Sequence, residues 1–225
     1  MMDFSGKTAF LTGSGRGIGK AILDELKNHG AQMIAPIRTE MDLSDSDSVK
    51  SYLDTTTQTP DILVLCAGVN ELAGIDEVTS QNLLNTYQVN LFSSIQIIQH
   101  FISEMKKKQD GKIIFVSSLY AMVSRERRIP YASSKNAITG LMKTLCLELA
   151  PYNIMVNAVA PGYVETDLTS KNLTKQEIDV ICTNIPTHRF QMPKEIADLI
   201  LFLCSDLNRS ITGQLIAVDG GFLCR

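Results

Sequence analysis

"KTAFLTGSGRGIGKAILDELKNHG", Lys7 to Gly30, decides how the rest of the chain is read. It opens on an apolar run, Lys7 to Thr12, with no alternation of polar residues. Such a run fits a strand covered on both faces. Four glycines then fall within seven residues, at Gly13, Gly15, Gly17 and Gly19. Beyond them Ile18, Ala21, Ile22, Glu25, Leu26 and His29 recur at helical spacing as a mostly apolar stripe, which Gly30 ends. The order is strand, glycine turn, helix.

The same alternation continues to the end of the sequence. Strand-like runs are "QMIAPI" (32–37), "DILVLC" (61–66), "KIIFVS" (112–117), "IMVNAVA" (154–160) and "QLIAVD" (214–219). Longer helical patterns cover 80–108 and 132–150, with Pro151 as a stop signal for the second. This predicts an α/β fold, a doubly wound parallel sheet forming a single domain over 1–225. One place breaks the rhythm. Parallel strands need a crossover of a dozen or more residues, and Ile37 to Asp42 leaves no room for a helix and a return strand. The second strand is therefore expected to run into a short excursion, followed by a helix near 45–57 with Ser44 as N-cap. That leaves six main strands, with the 32–37 strand as the exposed edge.

Composition narrows the function classes. The 225 residues are 44% hydrophobic and 20% charged, ordinary for a globular protein. A net charge of −3 is too mild for a nucleic-acid groove or a membrane-binding face. Cys66, Cys146, Cys182, Cys204 and Cys224 are odd in number and form no C-x-x-C pair. No disulfide framework or metal site is expected, and a reducing, cytoplasmic setting fits. The N-terminus carries an acid at Asp3 and reads as no secretory signal. No apolar stretch reaches the roughly 18 residues of a membrane span.

The glycine turn sits where a strand hands over to a helix. Free backbone N–H groups and the positive end of the helix dipole meet there. Glycines let a phosphate approach that backbone. The spacing Gly13, Gly17, Gly19 departs from G-x-G-x-x-G.

"TGSGRGIG" resembles the T-G-x-x-x-G-x-G motif of the short-chain dehydrogenase/reductase family. The likeness extends from "GKTAFLTG" to "SITGQLIAVDGG". "APGYVETDLT" and "PKEIADLILFLCSD" look most like the bacterial 3-oxoacyl-[acyl-carrier-protein] reductases. The resemblance implies a Rossmann-like sheet whose third strand and preceding helix are here missing or vestigial. It also implies hydride transfer between NADP(H) and a carbonyl or secondary alcohol. A 3-oxoacyl thioester, possibly on acyl carrier protein, is the first substrate class and a sugar or polyol the second. A catalytically silent NADP-binding regulator is the reading from another class.

"YASSK" places Tyr131 and Lys135 on one helical face. A neighbouring ammonium favours a phenolate, and so lowers a pKa of ~10 toward working range. By the resemblance Tyr131 is the proton donor, Lys135 tunes it and binds the nicotinamide ribose, Ser118 polarises the carbonyl, and Asn90 holds a water relay. Ser117 is the neighbouring alternative to Ser118. Cofactor contacts implied are Gly13, Ser14, Arg16, Gly17, Ile18 and Gly19 in the turn, with Tyr131 and Lys135. Arg38, Asp42 and Leu43 follow the second strand. Cys66, Ala67 and Gly68 replace the family's N-A-G, with a hydrogen bond expected to be lost at Cys66. Pro161, Gly162, Val164 and Thr166 complete the set. No acid ends the second strand to bind a ribose 2′-hydroxyl, and Arg16 and Arg38 suit a 2′-phosphate, so NADP is expected over NAD. Glu40 is the counter-argument. Arg125, Arg127 and Arg128 precede Tyr131 and read either as a solvated loop or as anion recognition. Residues 166–190 resemble a substrate lid in which Lys171 approximates a carrier-binding base, and Lys106 to Lys108 either serve the carrier or end a helix. The family commonly forms homotetramers through the long helices and the last strand.

Overall fold

The structure, a computed structural model, describes residues 2–167, 169 and 173–224. Its centre is one parallel sheet of six strands in the order β2-β1-β3-β4-β5-β6. The strands are β1 (Thr8–Thr12), β2 (Gln32–Ile34), β3 (Ile62–Leu65), β4 (Gly111–Val116), β5 (Ile154–Pro161) and β6 (Leu215–Val218). The expected six-stranded sheet is present, with β2 at its edge.

Side chains of each strand alternate between two cores. Phe10, Leu63, Leu65, Ile113, Phe115 and Val156 face α2 (Ser46–Thr55), α4 (Ser93–Lys108) and α5 (Ile129–Leu149). Ala9, Leu11, Val64, Ile114, Val116 and Val159 face α1 (Gly17–Asn28) and the helix Pro193–Cys204. Each fully buried large apolar side chain contributes ~1.5–3 kcal/mol, and both faces are covered, so the strands carry no polar alternation.

The edge strand is shorter than the 32–37 run. It ends at Ile34, because Pro36 has no N–H for the ladder and restricts Ala35 before it. A turn follows, in which the Glu40 carboxylate accepts from the Ile37 N–H at 2.9 Å. Glu40 thus closes the turn on itself. The N-cap of α2 is Asp45, whose side chain accepts from Asp47 N, not Ser44 as expected. The Ser44 hydroxyl is engaged elsewhere, donating to Asp42 Oδ1 at 2.7 Å.

The 80–108 pattern is not one helix. It comprises α3 (Ser80–Tyr87), a wide π turn at Gln88–Phe92, and α4. The basic run Lys106 to Lys108 ends α4, with Lys107 on Glu104 and Lys108 on Asp61. It closes a helix C-terminus, where cations are favourable. Within the expected lid segment one helix is described, α6 (Lys175–Asn184). Lys171 lies outside the described residues.

Candidate active site

The first turn of α1 is the floor of the site. α2, α3 and α6 are each capped at their N-termini by a side chain, Asp45, Thr79 and Thr174. α1 has no side-chain cap and no acid in its first turn. Its orphan amides and dipole remain available to an anion. The glycines have steric reasons. A Cβ on Gly13, at φ +74°, would sit 2.9 Å from the Ala67 Cα. A Cβ on Gly19 would enter the Gly13 carbonyl. Gly17 has φ +53°, and a Cβ there would press on Thr166.

Above this floor lies a cavity of about 740 Å³, in the range for small-molecule and cofactor sites. Gly13, Ser14, Arg16, Gly17, Ile18 and Gly19 line it, as do Arg38, Asp42 and Leu43 from the far end. Cys66, Ala67 and Gly68 line it from the end of β3. Pro161, Gly162, Val164 and Thr166 line it from the end of β5. Ser118, Tyr131 and Lys135 complete that wall, so the groove runs along the C-terminal ends of the strands. Among the described residues no cluster of His, Cys, Asp and Glu could hold a metal.

Tyr131 and Lys135 share one face of α5, with the Lys135 Nζ 5.6 Å from the Tyr131 ring centroid. The ammonium donates to the Val116 carbonyl at 2.8 Å. Burial lowers the Lys135 pKa to about 8. Burial raises the Tyr131 pKa, the Ser118 hydrogen bond opposes that rise, and the Arg128 charge also opposes it. Ser118 caps a short turn, accepting from Tyr120 N at 3.2 Å. Ser117 is turned away, its hydroxyl donating to the Lys135 carbonyl at 3.3 Å.

Asn90 lies behind the wall rather than in it. It is buried, accepts from Val69 N at 2.8 Å, and donates to Val69 O at 3.1 Å and to Ser134 Oγ at 3.0 Å. Its amide ties the β3 loop to α5. Gly68 makes the approach tight, since a Cβ there would lie 3.4 Å from both Asn90 Oδ1 and Lys135 Nζ.

The protein-family comparison matches residues 35–223 to the model described as "Enoyl-(Acyl carrier protein) reductase". The 3-oxoacyl-[acyl-carrier-protein] reductase FabG of Thermotoga maritima is 32% identical over 246 residues, covering 99% of this chain and 100% of its own. The chain belongs to the short-chain dehydrogenase/reductase family. Among solved structures, a gluconate 5-dehydrogenase from Burkholderia cenocepacia J2315, in complex with NADP and tartrate, superposes with a TM-score of 0.90. It is 27% identical and the match covers 99% of this chain and 97% of that one. A short-chain type dehydrogenase/reductase from Mycobacterium marinum gives 0.91 at 27% identity, over 99% and 98% of the two chains.

Two features of this member of the short-chain dehydrogenase/reductase family lay beyond sequence reasoning. Thr12, at the end of β1, accepts from both Cys66 N and Ala67 N at 3.1 Å. Thr12 thus satisfies the two backbone amides that open this segment. Burial pushes the Cys66 thiol up to about 12, which makes it inert. The three arginines before Tyr131 also part company. Arg127 pairs with Glu77 and Arg125 with Glu177. Arg128 is 6% exposed, lines the cavity, and lies with its guanidinium carbon 5.8 Å from the Tyr120 ring centroid.

Proposed function

We propose that the protein is an NADP(H)-dependent oxidoreductase that interconverts a carbonyl and a secondary alcohol. The observation that carries this is the convergence of Ser118, Tyr131 and Lys135 on one wall of a groove floored by an uncapped helix and bare glycines. The groove fits a dinucleotide, because the first turn of α1 lines it with no side-chain cap, leaving free amides for a diphosphate. Arg16 and Arg38 line the adenosine end, and no acid follows β2 at Pro36 or Ile37. Their guanidinium groups suit a 2′-phosphate, which supports NADP over NAD, as does NADP in the Burkholderia relative. Asp42, Leu43, the 66–68 segment, Pro161, Gly162, Val164 and Thr166 form the remaining contacts.

When bound, the nicotinamide supplies or takes up the hydride. The protein's own residues handle the proton. Tyr131 gives its phenolic proton to the carbonyl oxygen as the alcohol forms, and takes it back in the reverse direction. Ser118 donates a hydrogen bond to the same oxygen, where charge develops. Lys135 binds the cofactor ribose and replenishes the proton. Asn90 acts as a positioning residue by holding α5 against the β3 loop.

Two substrate classes follow from the relatives. A 3-oxoacyl thioester, carried on acyl carrier protein, is supported by the Thermotoga relative. A hydroxy or oxo acid of the sugar type is supported by the Burkholderia relative and by the buried cation Arg128 beside Tyr131. The segment 166–190 acts as a lid, and the protein works in the cytoplasm as a homotetramer joined through α4, α5 and β6. The test is oxidation of NADPH and NADH with a panel of ketones from both classes, in wild type and Tyr131→Phe. NADPH turnover that falls by about 10²–10⁴-fold in the variant, with NADPH still bound, is expected. Equal turnover in the two proteins removes Tyr131 as the donor.

A further inference from the structure

Among the described residues Arg128 has no carboxylate partner, and its guanidinium lies over the Tyr120 ring. It is 6% exposed, and neither Nε nor Nη1 has a hydrogen-bond partner among the described residues. A buried, unpaired guanidinium is costly unless something pairs with it. Its neighbours in sequence are already neutralised, Arg125 by Glu177 and Arg127 by Glu77. The isolated bridge between Ala73 and Arg128, and the bond from Ala73 N to Arg127 O, fix the backbone at this point. The side chain therefore has a held origin and a wall position in the same cavity as Tyr131. That cavity also contains Asn70, whose Oδ1 is buried without a donor.

We infer that Arg128 is a substrate-binding residue that pairs with a carboxylate on the molecule whose carbonyl or alcohol meets Tyr131. Guanidinium and carboxylate match in planar geometry and form charge-assisted hydrogen bonds. One uncompensated positive charge balances one negative charge, so a monoanionic carboxylate fits better than a phosphate dianion. Asn70 Oδ1 would accept from a hydroxyl of the same molecule. The substrate class is thus a hydroxy acid and its oxo acid. A neutral 3-oxoacyl thioester offers no anion close to the reacting carbonyl. The inference rests on the oxidoreductase reading and selects between its two substrate classes.

The test compares matched ketones: a polyhydroxy oxo acid, its primary amide, the corresponding oxo phosphate and a short 3-oxoacyl thioester. Each is assayed with NADPH in wild type, Arg128→Met and Arg128→Lys. Circular dichroism checks that the variants fold. Wild type is expected to favour the acid over its amide by at least about tenfold in kcat/KM, the size of one charged hydrogen bond. That ratio should collapse toward one in Arg128→Met, mainly through KM, and be partly kept in Arg128→Lys. Calorimetric binding of acid and amide to the NADPH-loaded protein reads the same preference without turnover. Acid-selective binding lost in Arg128→Met, with no turnover of any ketone, would sustain the Arg128 assignment while refuting the oxidoreductase reading. Equal binding of acid and amide in wild type overturns the assignment. So does an unchanged ratio in Arg128→Met, or a preference for the phosphate or thioester over the acid.

Discussion

Lys135 holds its ammonium on the cavity wall, only 3% exposed and bonded to Val116 O. Desolvation favours its neutral form, which brings its pKa down to about 8. The sign of the pH effect follows. Below about 8 the group carries the proton that a reduction consumes, and above it that proton is lost. The kcat/KM for ketone reduction should therefore be level below about 8 and fall as pH rises through it. A profile level to pH ~10, where an unperturbed lysine titrates, would show that Lys135 does not gate the step. The spacing of Tyr131 and Lys135 was legible because helix geometry alone brings the fourth residue back to the same face. What offsets the burial of the phenol was not. Four charged residues stand in "RERR", and burial and the pairing of Arg125 and Arg127 with glutamates, neither legible in the sequence, set Arg128 apart.

At the scale of elements, the uncapped start of α1 and the break between α3 and α4 place the chemistry. The first was readable, since glycines between an apolar run and an amphipathic one have few other uses. The second was not, because the 80–108 pattern keeps helical periodicity through the π turn at Gln88–Phe92. The turn places Asn90 where its amide can reach both Val69 and Ser134. Replacing Asn90 with Ala would leave Val69 N and Val69 O short of a partner, while the Ser134 hydroxyl keeps its bond to Tyr131 O. Each unpaired buried group costs about 1–3 kcal/mol. Asn90→Ala is expected to lower the melting temperature by several degrees and to reduce kcat more than it raises the KM for NADPH. A variant with unaltered melting and kcat would show that the π turn needs no such tie. The strands themselves were legible within a few residues, since burial on both faces leaves an uninterrupted apolar signature. Their ends were set by backbone chemistry, as at Pro36.

For the whole molecule, the arrangement of helices leaves α5 with apolar surface beyond what the core takes. Ile138, Met142 and Leu149 are buried, yet Leu147 on the same helix is 79% exposed. Phe92, just before α4, is 42% exposed. Burial of these groups against second copies is expected, giving a particle of about four times 24.8 kDa by light scattering. Leu147→Glu should yield a smaller species, because a buried carboxylate without a partner is costly. A wild-type monomer at micromolar concentration would refute the homotetramer.

The clipped flank of the sheet has one more effect. β2 offers a stranger only three residues of open ladder, Gln32 to Ile34, before proline closes it. So short a margin gives another chain little to template on. A flank this short works against endless edge-by-edge growth of one molecule on the next.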